Sequence, residues 1–211
     1  MGNKALTRER ILEAAEVVFA KKGYHEAIMD EIVQHSETSK GTVYFHFPSK
    51  ERLFFAVIDS LAERLVRRVE KEMAQESDPL KKVEIALSTV MESLSKRRNL
   101  AKLLLVQGYS MGNAFEKKRV EIFSRFAALI KRNLDQAVEA GVARPTDTTI
   151  VAQAWLGAIS EVIIRWLYTG KPTSIQEALS VLKTMLLQGI AAEGREKGDL
   201  ERVPSLEGGS P

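Results

Sequence analysis

The sequence contains no cysteine, and this absence excludes disulfide bonds, thiolate zinc sites and cysteine nucleophiles. Aromatic residues make up only 7% of the 211 residues, and the alternation of Val or Ile with polar residues that is typical of strands is scarce. The excess of positive over negative charge is also small, because the chain has 31 Lys and Arg residues and 28 Asp and Glu residues. The net charge of +3 names no partner by itself, but it excludes a strongly acidic or supercharged protein.

Long uninterrupted hydrophobic runs are missing as well. The most apolar window, residues 150–167, contains Gln153, Glu161 and Arg165, which argues against a membrane span. The first residues enter an amphipathic pattern without an apolar leader segment. We therefore expect a soluble, cytoplasmic protein that has no secretory signal and no membrane partner.

What the sequence does contain is apolar residues at helical spacing, separated by Pro and Gly. This pattern predicts an all-α protein of about nine helices. Thr7 is predicted to cap the first helix and Gly23 to end it, while Ser49 caps the long fourth helix and Asp78 caps the fifth. The predicted helices cover residues 8–22, 27–35, 39–44, 50–75, 80–97, 100–110, 114–140, 148–168 and 173–192.

The helices predict three parts of the chain. Residues 1–52, called the head below, hold three short helices, and residues 53–192 hold the longer apolar ones. Residues 193–211 are rich in Gly, Pro and charge, which predicts a disordered tail. A head of about 50 residues is marginal as an independent fold. It is therefore expected to share a core with the fourth helix through Leu53, Phe54 and Val57.

Residues 29–50, MDEIVQHSETSKGTVYFHFPSK, place two short helices on either side of a turn of three or four residues. This spacing is typical of a helix-turn-helix, whose second helix lies in the major groove of DNA. Residues 38–50 also contain two lysines and no acidic residue. The candidate DNA-binding residues are Ser39, Lys40, Gly41, Thr42, Tyr44, His46 and Lys50.

Each residue type in this set suits contact with a duplex. The hydroxyls of Ser39 and Thr42 can bond phosphates or base edges, and Lys40 offers a point charge. Gly41 lets the backbone approach closely, because it has no side chain. The neighbouring aromatic residues Tyr24, Phe45 and Phe47 are expected in the core, and His25 and His35 at the surface.

The N-terminal motif is long enough to suggest a family. It reads Ile11-Leu12-x-Ala14-Ala15-x-x-x-Phe19-x-x-x-Gly23-Tyr24, then Ile32, then Ser39-Lys40-Gly41-Thr42-Val43-Tyr44-Phe45-His46-Phe47 and Ser49-Lys50-Glu51-x-Leu53. Over about the first 55 residues it resembles the N-terminal domain of TetR-family transcriptional regulators. The resemblance implies an N-terminal DNA-binding domain of residues 1–52 and a C-terminal ligand-binding and dimerisation domain of residues 53–192.

The resemblance also implies how such a protein works. It implies a homodimer that binds a pseudo-palindromic operator, usually represses, and is released by a small molecule in the C-terminal domain. It places Ser39, Lys40 and Thr42 at base or phosphate contacts, and Tyr44, His46 and Lys50 at phosphate contacts.

The sequence departs from the family pattern at two places. Ala27 and Ile28 stand where Thr is usual, which leaves one backbone contact or helix cap open. Residues 36–38 read Ser-Glu-Thr where Ala-Gly-Val is common. Glu37 must accept the backbone angles of the turn and brings a negative charge close to DNA. This predicts an altered turn or an altered operator preference.

The last two predicted helices are apolar on several faces, so they are expected to be buried on several faces. One face is expected to pack against a second copy as a four-helix bundle across a twofold axis, and a single large core is the alternative. The candidate dimer-interface residues are Leu156, Ile159, Ile163, Leu167, Leu182, Met185 and Leu186.

Effector-binding candidates are apolar or aromatic residues of the middle helices with occasional polar partners. Glu161 and Arg165 are spaced to pair with each other, and a buried Arg165 could instead anchor an anionic ligand. Residues 99–144 also resemble TetR-family regulators of fatty-acid breakdown that answer to acyl-CoA. The expected effector is therefore a fatty acyl-CoA or another hydrophobic compound. The candidate ligand-binding residues are Leu104, Gln107, Tyr109, Phe123, Phe126, Ile130, Trp155, Arg165 and Trp166.

Two rival functions remain, a helical enzyme and a helical module that binds protein. The sequence offers no nucleophile–base–acid set, metal cluster or phosphate loop, and its three histidines all lie in the head. We therefore expect no enzyme activity, no cofactor and no metal. Salt-dependent, sequence-preferring DNA binding would separate a regulator from both rivals.

Overall fold

The computed structural model of the chain describes residues 2–106 and 112–192. These residues form nine helices, which confirms the predicted all-α class. The helices are α1 (Gly2–Glu26), α2 (Met29–Ser36), α3 (Lys40–His46), α4 (Lys50–Met73), α5 (Pro79–Lys96), α6 (Arg98–Leu105), α7 (Asn113–Glu139), α8 (Thr148–Thr169) and α9 (Ile175–Gln188).

Helix α1 is longer at its N-terminus than the sequence pattern predicts. It begins at Gly2, so Thr7 lies inside the helix and does not cap it. Its early turns pack against the end of α3, where the cations of Lys4 and Arg8 lie over the rings of Phe45 and Phe47. Gly23 was predicted to end the helix, but the helix continues to Glu26 across a kink at Gly23, whose φ of 81° lies in a region that residues with a side chain rarely adopt.

Three predicted helix starts are confirmed by their caps. The hydroxyl of Ser39 accepts a hydrogen bond from the Thr42 amide, and the hydroxyl of Ser49 accepts one from the Arg52 amide. The carboxylate of Asp78 accepts hydrogen bonds from two amides of α5, with Pro79 at the first helical position. These caps fix where α3, α4 and α5 begin.

Helices α6 and α9 also differ in length from the predicted ones. Helix α6 ends at Leu105, and residues 107–110 of its predicted range lie outside the described residues. Helix α9 runs from Ile175 to Gln188, shorter than the predicted range, because Ser174 caps it after Pro172. The predicted tail, residues 193–211, also lies outside the described residues.

One continuous hydrophobic core runs from the head into the C-terminal helices. Leu53, Phe54 and Val57 of α4 are buried in it, as predicted. The ring of Phe54 meets the rings of Phe19 and Tyr24 edge-on, with both centroid distances 5.1 Å. The head is therefore packed on the first turns of α4, so a movement of α4 would carry the head with it.

The C-terminal helices pack around α5, α7 and α8. Helix α4 contacts α5, α5 contacts α7 and α9, and α7 makes its largest contact with α8. Helix α8 alone, among the described residues, is long and apolar enough to span a membrane. It packs on α6, α7 and α9, with Ile159 and Ile163 in the core, as expected of the central helix of a bundle.

Candidate DNA-binding face and effector cavity

The turn between α2 and α3 is held in an unusual backbone conformation. Glu37 closes α2 with a φ of 51° and a ψ of 35°, the left-handed conformation that glycine adopts most easily. The guanidinium of Arg10 donates hydrogen bonds to the carbonyls of Ser36 at 2.9 Å and Glu37 at 3.0 Å. The buried Ser36 hydroxyl lies 2.8 Å from that of Thr38. These bonds fix the angle between the two helices.

Helix α3 divides into a buried side and an exposed side. Val43 is buried against the head core, and Phe47, directly after the helix, is buried too. Gly41, Tyr44 and Phe45 are exposed. The helix therefore presents one continuous polar and aromatic surface to solvent.

The exposure of Phe45 corrects a sequence-based expectation. Its side chain is 69% exposed, whereas the sequence placed it in the core together with Tyr24 and Phe47. The ammonium of Lys4 lies 4.8 Å from the centre of its ring, and the half-buried His46 ring packs edge-on against it at 5.5 Å. An exposed aromatic side chain next to two basic side chains suits contact with nucleic acid. No helical pattern in the sequence marked it, because α3 is too short for a reliable period.

The first turn of α3 is internally bonded and open to solvent. The hydroxyls of Ser39 and Thr42 lie 2.8 Å apart. A Cβ added at Gly41 would meet only the Ser39 hydroxyl oxygen, at 3.9 Å. Gly41 is therefore not required by the packing of the free protein.

The ammonium of Lys40 lies 2.8 Å from a carboxylate oxygen of Asp30 on α2, and both side chains are exposed. The hydrogen bond and the charge of Asp30 raise the pKa of Lys40 above its ordinary value. Lys40 is therefore fully charged near neutral pH, and a phosphate would have to compete with Asp30 for it.

The side chain of Lys50 is partly buried against the head. Its ammonium donates hydrogen bonds to the carbonyls of His25 at 3.1 Å and Ala27 at 3.0 Å. It also lies 4.7 Å from the centre of the Tyr24 ring. These hydrogen bonds satisfy two carbonyls at the junction of α1 and α2, and they connect this junction to Lys50 at the start of α4. Two of the three N–H donors of Lys50 are thereby used.

An apolar cavity lies between α4, α5, α6, α7 and α8. Ile58 and Leu65 line it from α4, and Leu104 and Leu105 line it from α6. About 530 Å³ between the lining side chains is not filled by atoms, counting the part that opens to solvent, and about 40 Å³ admits water. The cavity is thus narrow, and the helix that carries the head forms one of its walls.

The comparisons with known proteins agree with this geometry. Residues 11–57 match the family described as "Bacterial regulatory proteins, tetR family". Residues 58–189, more than half of the chain, match "YsiA-like protein, C-terminal region". The chain belongs to the TetR family of bacterial regulatory proteins. It is a DNA-binding transcriptional regulator with an N-terminal helix-turn-helix and a C-terminal ligand-binding domain.

Relatives of this TetR-family chain match it over most of their length. The fatty acid metabolism regulator protein of Bacillus subtilis is 20% identical over 182 residues, which are 86% of this chain and 94% of the relative. The nucleoid occlusion factor SlmA of Vibrio cholerae is 25% identical over 169 residues, which are 78% of this chain and 86% of the relative. Both comparisons therefore extend beyond the helix-turn-helix.

The fold is similar to that of a solved transcriptional regulator. The structure of FadR from Bacillus subtilis in complex with stearoyl-CoA superposes with a TM-score of 0.76 at 20% identity. The match covers 86% of this chain and 98% of the FadR chain. The chain thus has the FadR fold over nearly all of that protein.

The residues predicted to bind the effector do not all meet at one site in this TetR-family structure. Leu104, Phe123 and Phe126 line the cavity. Ile130 and Trp155 are buried without lining it, and the guanidinium of Arg98 lies 4.7 Å from the centre of the Trp166 ring. Gln107 and Tyr109 lie outside the described residues.

Arg165 does not enter the cavity. Its side chain is 71% exposed and lies 4.0 Å from Glu161 on the same helix face, so the simple pairing is the observed arrangement. The arginine that lines the cavity is Arg119 of α7, together with Ser160 of α8. Arg119 was not among the predicted ligand-binding residues, and in the sequence it follows two lysines, Lys117 and Lys118.

The residues predicted for the dimer interface lie mostly inside the chain. Leu156, Ile159, Ile163, Leu167, Leu182 and Leu186 are buried within the single chain, and only Met185 is exposed. Side chains that meet a second copy must be accessible in each copy, so the predicted row faces inward. Leu156 and Ile159 in fact line the cavity.

Four other large apolar side chains of α8 and α9 are exposed, and they are called the exposed row below. Ile150 and Tyr168 lie five helical turns apart on the exposed face of α8, with the exposed Glu161 and Arg165 between them, and Val181 and Met185 lie one turn apart on α9. Among the described residues there is also no group of three or more His, Asp or Glu arranged to hold a metal ion.

Proposed function

We propose that this chain is a repressor that binds a pseudo-palindromic operator as a homodimer and is released by a hydrophobic effector. The observation that carries the proposal is the division of α3. Its apolar residue Val43 anchors it to the head, while Gly41, Tyr44 and Phe45 remain exposed. An exposed helix fixed in this way can enter the major groove without unfolding the head.

The DNA contacts are proposed from the exposed surface of α3 and its surroundings. Ser39, Lys40 and Thr42 contact bases or phosphates at the start of the helix, and Gly41 lets the backbone come close to the duplex. Tyr44 and His46 contact phosphates at the other end. Phe45, which the sequence analysis left out, lies between them and can meet a thymine methyl group or a sugar.

Lys50 is proposed to act in two ways. Its bonds to the His25 and Ala27 carbonyls position the first two helices of the head. Its third N–H donor is proposed to contact a phosphate.

The proposed homodimer uses the exposed apolar row of α8 and α9. Ile150, Tyr168, Val181 and Met185 are large apolar side chains at the surface of two neighbouring helices. Burying them against the same row of a second copy gives an isologous four-helix arrangement. Two heads would then meet two half-sites of the operator from one face of the duplex.

The proposed effector is a compound with a long alkyl chain, such as a fatty acyl-CoA. The cavity is apolar and narrow, which suits an extended chain better than a broad ring system. The likeness to FadR, solved with stearoyl-CoA, supports the same class.

Release is proposed to pass through α4. Its residues Ile58 and Leu65 line the cavity, and its residues Leu53 and Phe54 anchor the head. A chain that enters the cavity would push α4 and change the distance between the two heads. That distance must match one helical turn of DNA, about 34–36 Å, or a multiple of it.

We propose that this regulator acts in the cytoplasm, where its DNA is.

Selection of bound duplexes from a random DNA pool tests the proposed function. The expected result is an inverted repeat whose half-sites lie one helical turn, or a multiple, apart. Affinity for that sequence should fall steeply as salt is raised, because phosphate contacts release counterions. A pool without enrichment, or binding that does not depend on salt, would overturn the proposal and favour a protein-binding head.

A further inference from the structure

Arg119 lies at the boundary between two spaces in the C-terminal part. One is the apolar cavity, and the other is a groove at the surface between α7 and α8, where about 500 Å³ is not filled by atoms, counting the part that opens to solvent. Arg119, Phe123 and Leu156 line both. These three side chains therefore separate the cavity from the groove, and a ligand that extended past them would lie partly in the cavity and partly in the groove.

The two spaces differ in chemistry. Arg119 is the one charged side chain that lines the cavity in the part of the chain that the structure describes. The hydroxyl of Ser160, also on the cavity wall, donates to the Leu156 carbonyl of its own helix at 2.7 Å. The outer groove carries polar groups of Ser124 and Gln153. An apolar interior with one arginine at its boundary fits an amphipathic molecule.

The guanidinium of Arg119 is positioned by hydrogen bonds that involve only some of its N–H donors. Its Nε and Nη2 donate to the same carboxylate oxygen of Glu116, at 3.1 and 2.9 Å, which occupies two of its five N–H donors. It also lies 5.3 Å from the centre of the Phe123 ring. Both members of the pair are partly exposed, so the pair is weak and can exchange its anion.

We propose that the effector is an amphipathic anion whose carboxylate or phosphate binds Arg119, with its alkyl chain in the cavity and the rest of its head group in the outer groove. The proposal rests on the proposed function, since it concerns the same cavity. An arginine suits this task because its planar fork bonds carboxylates and phosphates through two parallel N–H groups. The incoming anion takes the place of the Glu116 oxygen, and Arg119 stays stacked on Phe123.

Calorimetric titration of the full chain with stearate, stearoyl-CoA and the neutral 1-octadecanol tests this assignment, at concentrations below micelle formation. For Arg119→Gln, we expect Kd to rise about tenfold or more for the anion that binds Arg119. Kd for 1-octadecanol should remain within about twofold of the parent value, because the alcohol carries no anion for Arg119 to bind. Arg132→Gln, an exposed position on the same helix, is the matched control and should change neither.

The pattern of losses identifies the anion. A loss for stearate and stearoyl-CoA alike indicates that Arg119 binds either anion, and a loss for only one of them assigns the carboxylate or the phosphates. If Arg119→Gln binds both anions as the parent does, this inference is wrong while the proposed function stands. If none of the three compounds binds the parent chain, the alkyl-chain effector of the proposed function fails, and the inference fails with it.

Discussion

At the scale of single residues, we expect a substitution of Gly41 to affect folding stability and DNA binding in opposite directions. The space around its Cα is empty apart from the Ser39 hydroxyl, so Gly41→Ala should fold normally. Alanine in a helix should raise the free energy of unfolding by roughly 0.5–1 kcal/mol. The same methyl group should hold the helix away from the duplex and weaken operator binding at least about tenfold.

Thermal unfolding and fluorescence anisotropy of the Gly41→Ala variant measure the two effects separately. A variant that is as stable as the parent and binds the operator equally well would show that DNA does not approach the backbone of α3 at this position.

Glu37 is a second residue at which folding and binding differ. Its left-handed backbone costs about 1 kcal/mol in a residue with a side chain, so Glu37→Gly should raise the free energy of unfolding by up to that amount. It also removes a negative charge from the turn beside α3, so DNA binding should strengthen. Glu37→Gln removes only the charge and is the control. Chemical denaturation that shows equal stability for both variants would contradict the role of backbone strain.

The sequence predicted the start of α3 at Ser39 and an altered turn at Glu37, but it did not predict the exposure of Phe45. Caps and turns follow from the chemistry of neighbouring residues, and so Ser39 and the Glu37 turn could be predicted. The exposure of Phe45 depends on how α1 and α3 meet, since Lys4 and Arg8 of α1 lie against this end of α3. Such contacts join residues far apart in the chain, and no local pattern records them.

At the scale of helices, a salt bridge, called the ionic tie below, joins α7, which lines the cavity, to α4, which carries the head. The ammonium of Lys118 on α7 lies 3.1 Å from both carboxylate oxygens of Asp59 on α4. Partial burial lowers the pKa of Lys118, but its hydrogen bonds to Glu121 and Asp59 outweigh burial and raise it overall. The tie therefore remains charged at neutral pH, and it connects a helix that lines the cavity with the helix that carries the head.

Asp59→Asn should weaken this tie without touching the cavity or the DNA-binding surface. We expect effector affinity to stay close to the parent value, while the factor by which the effector weakens operator binding becomes smaller. Operator Kd with and without saturating effector measures this factor. Glu63→Gln, an exposed change on the same helix, is the control. An unchanged factor in Asp59→Asn would show that coupling takes another route.

Helix boundaries show where local patterns end and packing begins. Gly23, Ser49 and Asp78 were predicted from residue type, because their effect on the backbone is local. The start of α1 at Gly2 was not, since its first turns are stabilised by contact with α3.

At the scale of the whole molecule, the dimer depends on the exposed row of α8 and α9. Met185 is 58% exposed, so Met185→Glu should leave the fold of a single chain intact. The new charge would be buried in the proposed interface, and the dimer should dissociate. Sedimentation velocity should then show a monomer, and operator affinity should fall. Gln176→Glu, an exposed change at the start of the same helix, should remain dimeric.

The sequence indicated two strongly apolar helices but assigned the dimer to their buried row. Both helices are apolar on several faces, and periodicity cannot tell a face that packs on the same chain from one that meets a second copy. The cavity was equally hidden, because Leu156, Ile159 and Arg119 come together only through the packing of α7 on α8.

Anisotropy of the selected operator duplex, titrated with the parent chain with and without stearoyl-CoA, tests directly whether the chain is a ligand-controlled DNA-binding regulator. At physiological salt we expect a Kd of about 10⁻⁸ M or tighter, at least about 10³-fold tighter than for a shuffled duplex. Saturating stearoyl-CoA should weaken operator binding at least about tenfold. Equal affinity for the operator and shuffled duplexes, or an operator affinity that no effector changes, would contradict a ligand-controlled DNA-binding regulator.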